Sequence, residues 1–139
     1  MKKRILFLCT GNSIRSQMAE GLANAFHGHE LAALSAGSRP SGRVHPLAVK
    51  AMGERGIDIS GAESKSADRF AAEPFDIVVT VCDSAAADCP RWPAARRILH
   101  WSIADPTDTI GDAMPHFREV REELERRIAG LVKRSGRSS

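Results

Sequence analysis

Tyrosine is absent from this chain of 139 residues, and two Trp and five Phe are all that remains of that class. The stacking platforms that single-stranded nucleic-acid binders use are therefore scarce, and no basic stripe is interleaved with those few rings. Charge does not change that reading: 20 basic residues against 17 acidic ones leave a net +3. Much of the excess lies in residues 133–139, read as a frayed tail, so no nucleic acid is expected as a partner. Long apolar runs are missing too. After Met1-Lys2-Lys3-Arg4 come only five apolar residues, Ile5 to Cys9, too few for a secretory core and far too few to cross a bilayer. The expectation is a soluble cytoplasmic protein with no membrane partner. Cysteine numbers three, an odd count that does not suit a static disulfide framework in a reducing compartment. No C-x-x-C or H-x-x-H pairing occurs, so a zinc site from three Cys and one His is unsupported, and no metal or bound cofactor is expected. Catalytic or redox use of the thiols remains.

What the chain does have is concentrated in Cys9-Thr10-Gly11-Asn12-Ser13-Ile14-Arg15-Ser16. Arg4 to Leu8 before it reads as a buried strand and Gln17 to Leu22 after it as an amphipathic helix, which puts Cys9 at a strand-to-helix turn. A helix N-terminus presents unpaired N–H groups and partial positive charge, a setting that holds a tetrahedral oxyanion without a metal. Arg15 adds a planar, permanently charged fork, and the same field favours thiolate over thiol at Cys9. Gly11 allows the tight curl that aims successive amides inward, Asn12 braces a left-handed residue, and Ser16 can donate to the sulfur. Of the three cysteines only Cys9 has an Arg six positions on; Cys82 meets Asp88 and Cys89 meets Ala95. A buried apolar Cys ending a strand is the plainer alternative, and its Gly, Asn, Arg and Ser neighbours weigh against it.

The rest of the chain alternates strand and helix. Strands are expected over 31–35, 75–81 and 96–101, the third with polar residues at a sheet edge. Pro46 suits the first turn of a helix carrying Leu47, Ala48, Ala51 and Met52. A last helix is expected from about Asp112 to Val132, where Phe117, Val120, Leu124, Ile128 and Leu131 recur at three- and four-residue steps. Such alternation implies one α/β domain spanning 1–139, a four-stranded parallel sheet flanked by helices on both faces. Ligands bind such sheets beyond the carboxyl ends of the strands, where Cys9, Cys82 and the segment after Trp101 all fall.

Cys82 follows the most apolar strand and Cys89 comes seven residues later. If 82–89 were one regular helix, their Cα atoms would stand about 10.5 Å apart. A disulfide needs roughly 4.4 to 6.8 Å, so joining them requires the segment to rearrange, as a redox relay would. Otherwise Cys82 is a small core residue and Cys89 an incidental thiol. Asp105-Pro106 after the fourth strand makes a stiff loop able to hold a carboxyl over the cradle. Beside an oxyanion and partly buried, that carboxyl could stay protonated long enough to donate to a leaving oxygen. Taken alone, Asp-Pro is usually just a turn.

Taken together, the cradle through Gly21, Ser35-Ala36-Gly37, Asp58-Ile59-Ser60, the strand ending in Cys82, Cys89-Pro90, His100-Trp101 and Asp105-Pro106 resemble a known family. It is that of the arsenate reductases with the low-molecular-weight phosphotyrosine phosphatase fold that are recycled by thioredoxin. The resemblance implies that Cys9 attacks arsenate, that Arg15 and the amides of 10–16 bind the oxyanion, and that Asp105 protonates the departing oxygen. It further implies that Cys82 attacks the Cys9 sulfur, releasing arsenite, and that Cys89 then attacks Cys82. Thioredoxin would reduce the resulting Cys82–Cys89 disulfide, the protein acting as a monomer.

Two departures stand out. Ile14 occupies a position where many relatives have a further Cys. Lys65 stands where relatives that hold a potassium ion beside Asn12, Glu20 and Ser35 have an Asp, so an ammonium is expected to take the cation's place and pair with Glu20; a solvated loop lysine is the alternative. Two other functions are open. A phosphotyrosine phosphatase would use Cys9, Arg15 and Asp105 but leave Cys82 and Cys89 without work, and Thr107 stands where phosphatase relatives have an aromatic residue. A non-catalytic thiol redox sensor would need only the cysteines and a partner that reads them.

Overall fold

Apolar residues without a break from Ile5 to Cys9 make a strand that can be buried on both faces, and this strand, β1 (Lys3–Cys9), is central to the sheet. In the computed structural model, which describes residues 2–81 and 95–137, β1 lies between β2 (Leu31–Gly37) and β3 (Phe75–Thr80). β4 (Ala95–His100) pairs with the outer side of β3, giving the order β2-β1-β3-β4. Every pairing is parallel. Among the described residues three α-helices accompany the sheet: α1 (Arg15–His27), α2 (Pro46–Gly53) and α3 (Met114–Arg137).

Alternation along the strands sorts side chains to two cores, because successive Cβ atoms leave opposite faces of a sheet. Ile5, Phe7 and Cys9 with Ala33, Ile77 and Val79 join Met18 and Leu22 of α1, Met52 of α2, and Phe117, Leu124 and Ile128 of α3. On the other face Leu6, Leu8, Ala36 and Val78 pack with Ala67 and Phe70 of a short 3-10 turn, Ala67–Phe70. Among the described residues, then, the α-helices gather in one core and only this turn joins the other. A helix expected after Cys82 lies outside the described residues. The turn itself is four residues long, too short to leave a periodic signal, and begins where Ser66 Oγ accepts from Asp68 N at 3.2 Å.

The strands expected from apolar patterning are present with shifts of one or two residues at their ends. β4 is an edge strand as expected, with Arg96 and Arg97 exposed and Ile98 half in solvent. His45 precedes Pro46 and its Nδ1 accepts from Leu47 N at 3.0 Å, capping α2. The last helix differs more. It begins at Met114, and Asp112, the expected first residue, instead lies before it and accepts from Met114 N through Oδ1 at 3.0 Å. Its helical backbone continues through Arg137, into the stretch expected as a tail. Buried Leu131 anchors the last turns of this helix against the core. No helix of the described residues is long and apolar enough to cross a membrane.

Chain direction places the site. β1 connects through α1 to β2 on one side and has β3 on the other, so a crevice opens beyond the carboxyl end of β1. There Cys9 pairs in register with Gly37, and Val81 N donates to Leu8 O at 2.8 Å.

Candidate active site

Between the end of β1 and the start of α1 the backbone carbonyls are all turned away from the crevice by bonds to neighbouring chain. Cys9 O accepts from Ser38 N at 3.2 Å, Thr10 O from Arg39 N at 2.8 Å, Gly11 O from Ser41 N at 2.8 Å and Ser13 O from His45 N at 3.0 Å. Asn12 O receives Gln17 Nε2 at 3.3 Å. In a trans peptide the N–H points opposite to the carbonyl, so the amides of residues 10–14 are directed to the inner side. Asn12 N shows it, donating to Cys9 Sγ at 3.2 Å. α1 adds to this: its N-cap is Ile14, which supplies no side-chain cap, and no acidic residue lies in the first turn. A Ser or Asp at that position would satisfy the first amides and dampen the helix dipole; here they are left for a ligand.

Asn12 is the knot that holds this shape. Its φ is +48°, the left-handed region that few non-glycine residues adopt, and it is fully buried. Its Oδ1 accepts from Lys65 N at 2.7 Å and Gln17 Nε2 at 3.0 Å, and its Nδ2 donates to Ser16 Oγ at 2.8 Å and Ser35 Oγ at 3.0 Å. Ser16 Oγ stands 2.8 Å from Cys9 Sγ, the contact expected from sequence. Gly37 lies so close that a Cβ there would come within 2.5 Å of Thr10 O and 3.0 Å of Asn12 N. Gln17 and Gly37 were not singled out as site residues. Both fall within the motifs that carry the family resemblance, a glutamine in the first turn of a helix and a glycine ending a strand, but neither spacing gave them a role.

Arg15 and Asp105 meet over the same crevice. Arg15 Nη1 donates to Ile103 O at 2.8 Å, which fixes the fork, and Nη2 is 3.9 Å from Asp105 Oδ2. Asp105 Oδ1 accepts from Thr107 N at 2.9 Å and Thr107 Oγ1 at 2.6 Å. Burial pushes this carboxyl up, but the Thr107 hydroxyl and amide, with Arg15 and His45 nearby, outweigh it and hold it below the usual carboxylate range. In the ligand-free site these hydrogen bonds and cationic neighbours favour the charged form of Asp105; the proton expected from sequence belongs to a site that holds an oxyanion. His45, with its ring centroid 5.1 Å from that of Phe117, is a further residue the sequence did not mark, and Thr107, marked only as lacking an aromatic ring, turns out to hold Asp105.

Lys65 Nζ is 3.6 Å from Glu20 Oε1, the pairing expected from sequence, and Ser35 Oγ donates to the same oxygen at 2.7 Å. Cys9, Arg15, Ser16 and Asp105 are thus brought together with the backbone of residues 10–14. Cys82 and Cys89, the other two candidate thiols, lie outside the described residues.

A cysteine only 3% exposed, set among inward amides at an uncapped helix start and faced by an Arg–Asp pair, defines a class of protein. The chain belongs to the low molecular weight phosphotyrosine protein phosphatase family, whose model matches residues 4–138. Within that family its relatives are more specific. An arsenate reductase of Halalkalibacterium halodurans is 46% identical over 130 residues, covering 91% of this chain and 93% of the relative. A glutaredoxin arsenate reductase of Synechocystis sp. is 37% identical over 130 residues, 94% of this chain and 96% of the relative. A solved arsenate reductase in the phosphate binding state superposes with a TM-score of 0.84 at 36% identity, covering 96% of this chain and 98% of that one.

Proposed function

We propose that this chain reduces arsenate to arsenite. The observation that carries the reading is the Cys9 sulfur held between the Asn12 amide and the Ser16 hydroxyl at the uncapped start of α1. That geometry suits a thiolate attacking a bound tetrahedral oxyanion, and the relatives named arsenate reductases support the choice of oxyanion.

In the proposed cycle the Cys9 thiolate forms a bond to arsenic(V) while an arsenate oxygen departs as water, taking a proton from Asp105. The amides of residues 10–16 and the Arg15 fork balance the charge. Because Asp105 is a carboxylate in the free site, its proton arrives with the protonated oxyanion. Cys82 then attacks the Cys9 sulfur: an S–S bond forms, the S–As bond breaks, and its electron pair leaves with arsenic(III) as arsenite. Cys89 attacks Cys82 in turn, forming the Cys82–Cys89 disulfide and freeing Cys9 as thiolate. A dithiol protein supplies the two electrons that reopen this disulfide. Thioredoxin is the reductant proposed, and the glutaredoxin named for the Synechocystis relative is its competitor.

Arsenate-dependent NADPH oxidation, with thioredoxin and its reductase in one arm and glutathione with glutaredoxin in the other, tests both points. Turnover in the first arm supports the reading; no arsenate-dependent oxidation in either arm overturns it. Cys89→Ser is expected to permit one turnover and no more. A phosphatase would be indifferent to that change. Against a phosphotyrosine phosphatase stands Thr107, which is engaged in holding Asp105 where an aromatic ring would be needed to grip a tyrosyl substrate.

A further inference from the structure

We propose that Lys65 is a positioning residue for the Cys9 nucleophile, acting through Glu20 along a run of hydrogen bonds whose direction its ammonium maintains. The run begins at Glu20 Oε1, an acceptor when ionised, which receives the Ser35 hydroxyl at 2.7 Å. With its proton committed there, Ser35 Oγ meets Asn12 Nδ2 at 3.0 Å as an acceptor. The Asn12 amide cannot be turned over, since Lys65 N and Gln17 Nε2 both donate to its Oδ1. Its second Nδ2 proton goes to Ser16 Oγ at 2.8 Å. Ser16, already accepting, has its own proton left for Cys9 Sγ at 2.8 Å, which is the arrangement that suits a thiolate. Every link takes its sense from the carboxylate at the far end.

That carboxylate is only one-fifth exposed, and left alone its negative charge would oppose both the thiolate and a bound oxyanion. Lys65 cancels it. The Lys65 side chain is 11% exposed, its Nζ is 3.6 Å from Glu20 Oε1, and it donates to Glu63 O at 2.9 Å. Gln17 Nε2 shares that Glu63 carbonyl at 2.8 Å, so the ammonium and the cradle's glutamine are held by one acceptor. One residue serves the cradle from both ends: its amide holds Asn12 in the left-handed conformation, and its side chain neutralises the carboxylate that orients Asn12's other neighbour. Other charged or titratable groups around the run are Arg15 of α1, His45 at the start of α2, Asp105 after β4, and Glu63 paired with Arg69.

The test is alkylation of Cys9 by iodoacetamide in the full-length reduced protein, followed on the Cys9 peptide by mass spectrometry. It does not depend on arsenate being the substrate. At about pH 6.5 Lys65→Met is expected to slow alkylation roughly 3- to 10-fold, since one uncompensated negative charge then faces the thiolate. Lys65→Arg should return the rate to within about twofold of the parent, and in a Glu20→Gln background Lys65→Met should change it by less than about twofold. Circular dichroism checks that each variant is folded, and Lys65→Gln replaces Lys65→Met if the latter is not. A parent-like rate in the folded Lys65 variant, or the same loss with and without the Glu20 carboxylate, overturns the proposal.

Discussion

Gly37→Ala is the substitution that tests most directly whether close backbone approach shapes the cradle. A Cβ at Gly37 would stand 2.5 Å from Thr10 O and 3.0 Å from both Asn12 N and Asn12 Cβ. None of these atoms is the free end of a side chain. Thr10 O is held by Arg39 N and Asn12 by the knot around it, so relief must come from moving the backbone of the cradle against β2. Overpacking of this kind costs about 1–3 kcal/mol. At roughly 4 °C per kcal/mol for a chain of this size, thermal unfolding should fall by about 4–12 °C. Activity should suffer more, because displacing aligned groups by about 1 Å can cost on the order of 100-fold. The measurements are the unfolding midpoint by circular dichroism and arsenate turnover on the same preparation. Gly130→Ala is the control: nothing lies within 4 Å of its Cβ, and in the middle of α3 it should stabilise by roughly 0.5–1 kcal/mol. If Gly37→Ala melts and turns over like the parent, the contact does not constrain the site and the reasoning is wrong.

Two further outcomes follow from the charged groups. Thr107→Val removes the hydroxyl that donates to Asp105 Oδ1 at 2.6 Å, so the depressed carboxyl should rise toward its ordinary range. The limb of the pH–rate profile on which turnover falls as Asp105 deprotonates should therefore move to higher pH; a limb that stays in place would remove Asp105 as the acid. Glu54 links α2 to α3 by accepting from Arg118 Nε at 3.0 Å and Arg121 Nη1 at 2.8 Å, and these hydrogen bonds, Arg118's first, pull its carboxyl from 4.5 down to about 2. A lowered folded value means the pairing stabilises above the unfolded value and is lost as pH falls toward the folded one. Glu54→Gln should accordingly lower the unfolding temperature at about pH 7 and leave it like the parent's near pH 2, read by thermal melts across that range.

Much of this was legible before any coordinates. Period and composition located four strands and three helices, because an apolar run with β-branched residues can be satisfied only inside a sheet and a three-four repeat only on a helix face. Cys9 and Arg15 were legible for a related reason: strand, glycine-bearing turn and helix are local, and a helix start is an anion site wherever it occurs. The resemblance of the cradle and the Asp-Pro loop to a known family supplied the pairing of Asp105 with that site. Lys65 meeting Glu20 was expected from the same comparison. That Thr107 holds Asp105 by both its hydroxyl and its amide was not legible, because where one hydroxyl two positions on points is set by the fold.

Order along the chain thus determined the elements and the placing of Cys9 and Arg15 at the start of a helix, since each rests on residues near one another in sequence. Tertiary structure alone decided that residues 38–45 take up the cradle's carbonyls, that Gly37 must lack a side chain, and that Asn12 joins α1, β2 and the loop at Lys65. Those contacts join positions from tens of residues apart. Only the folded sheet, with β1 between its neighbours, brings their donors and acceptors within bonding distance.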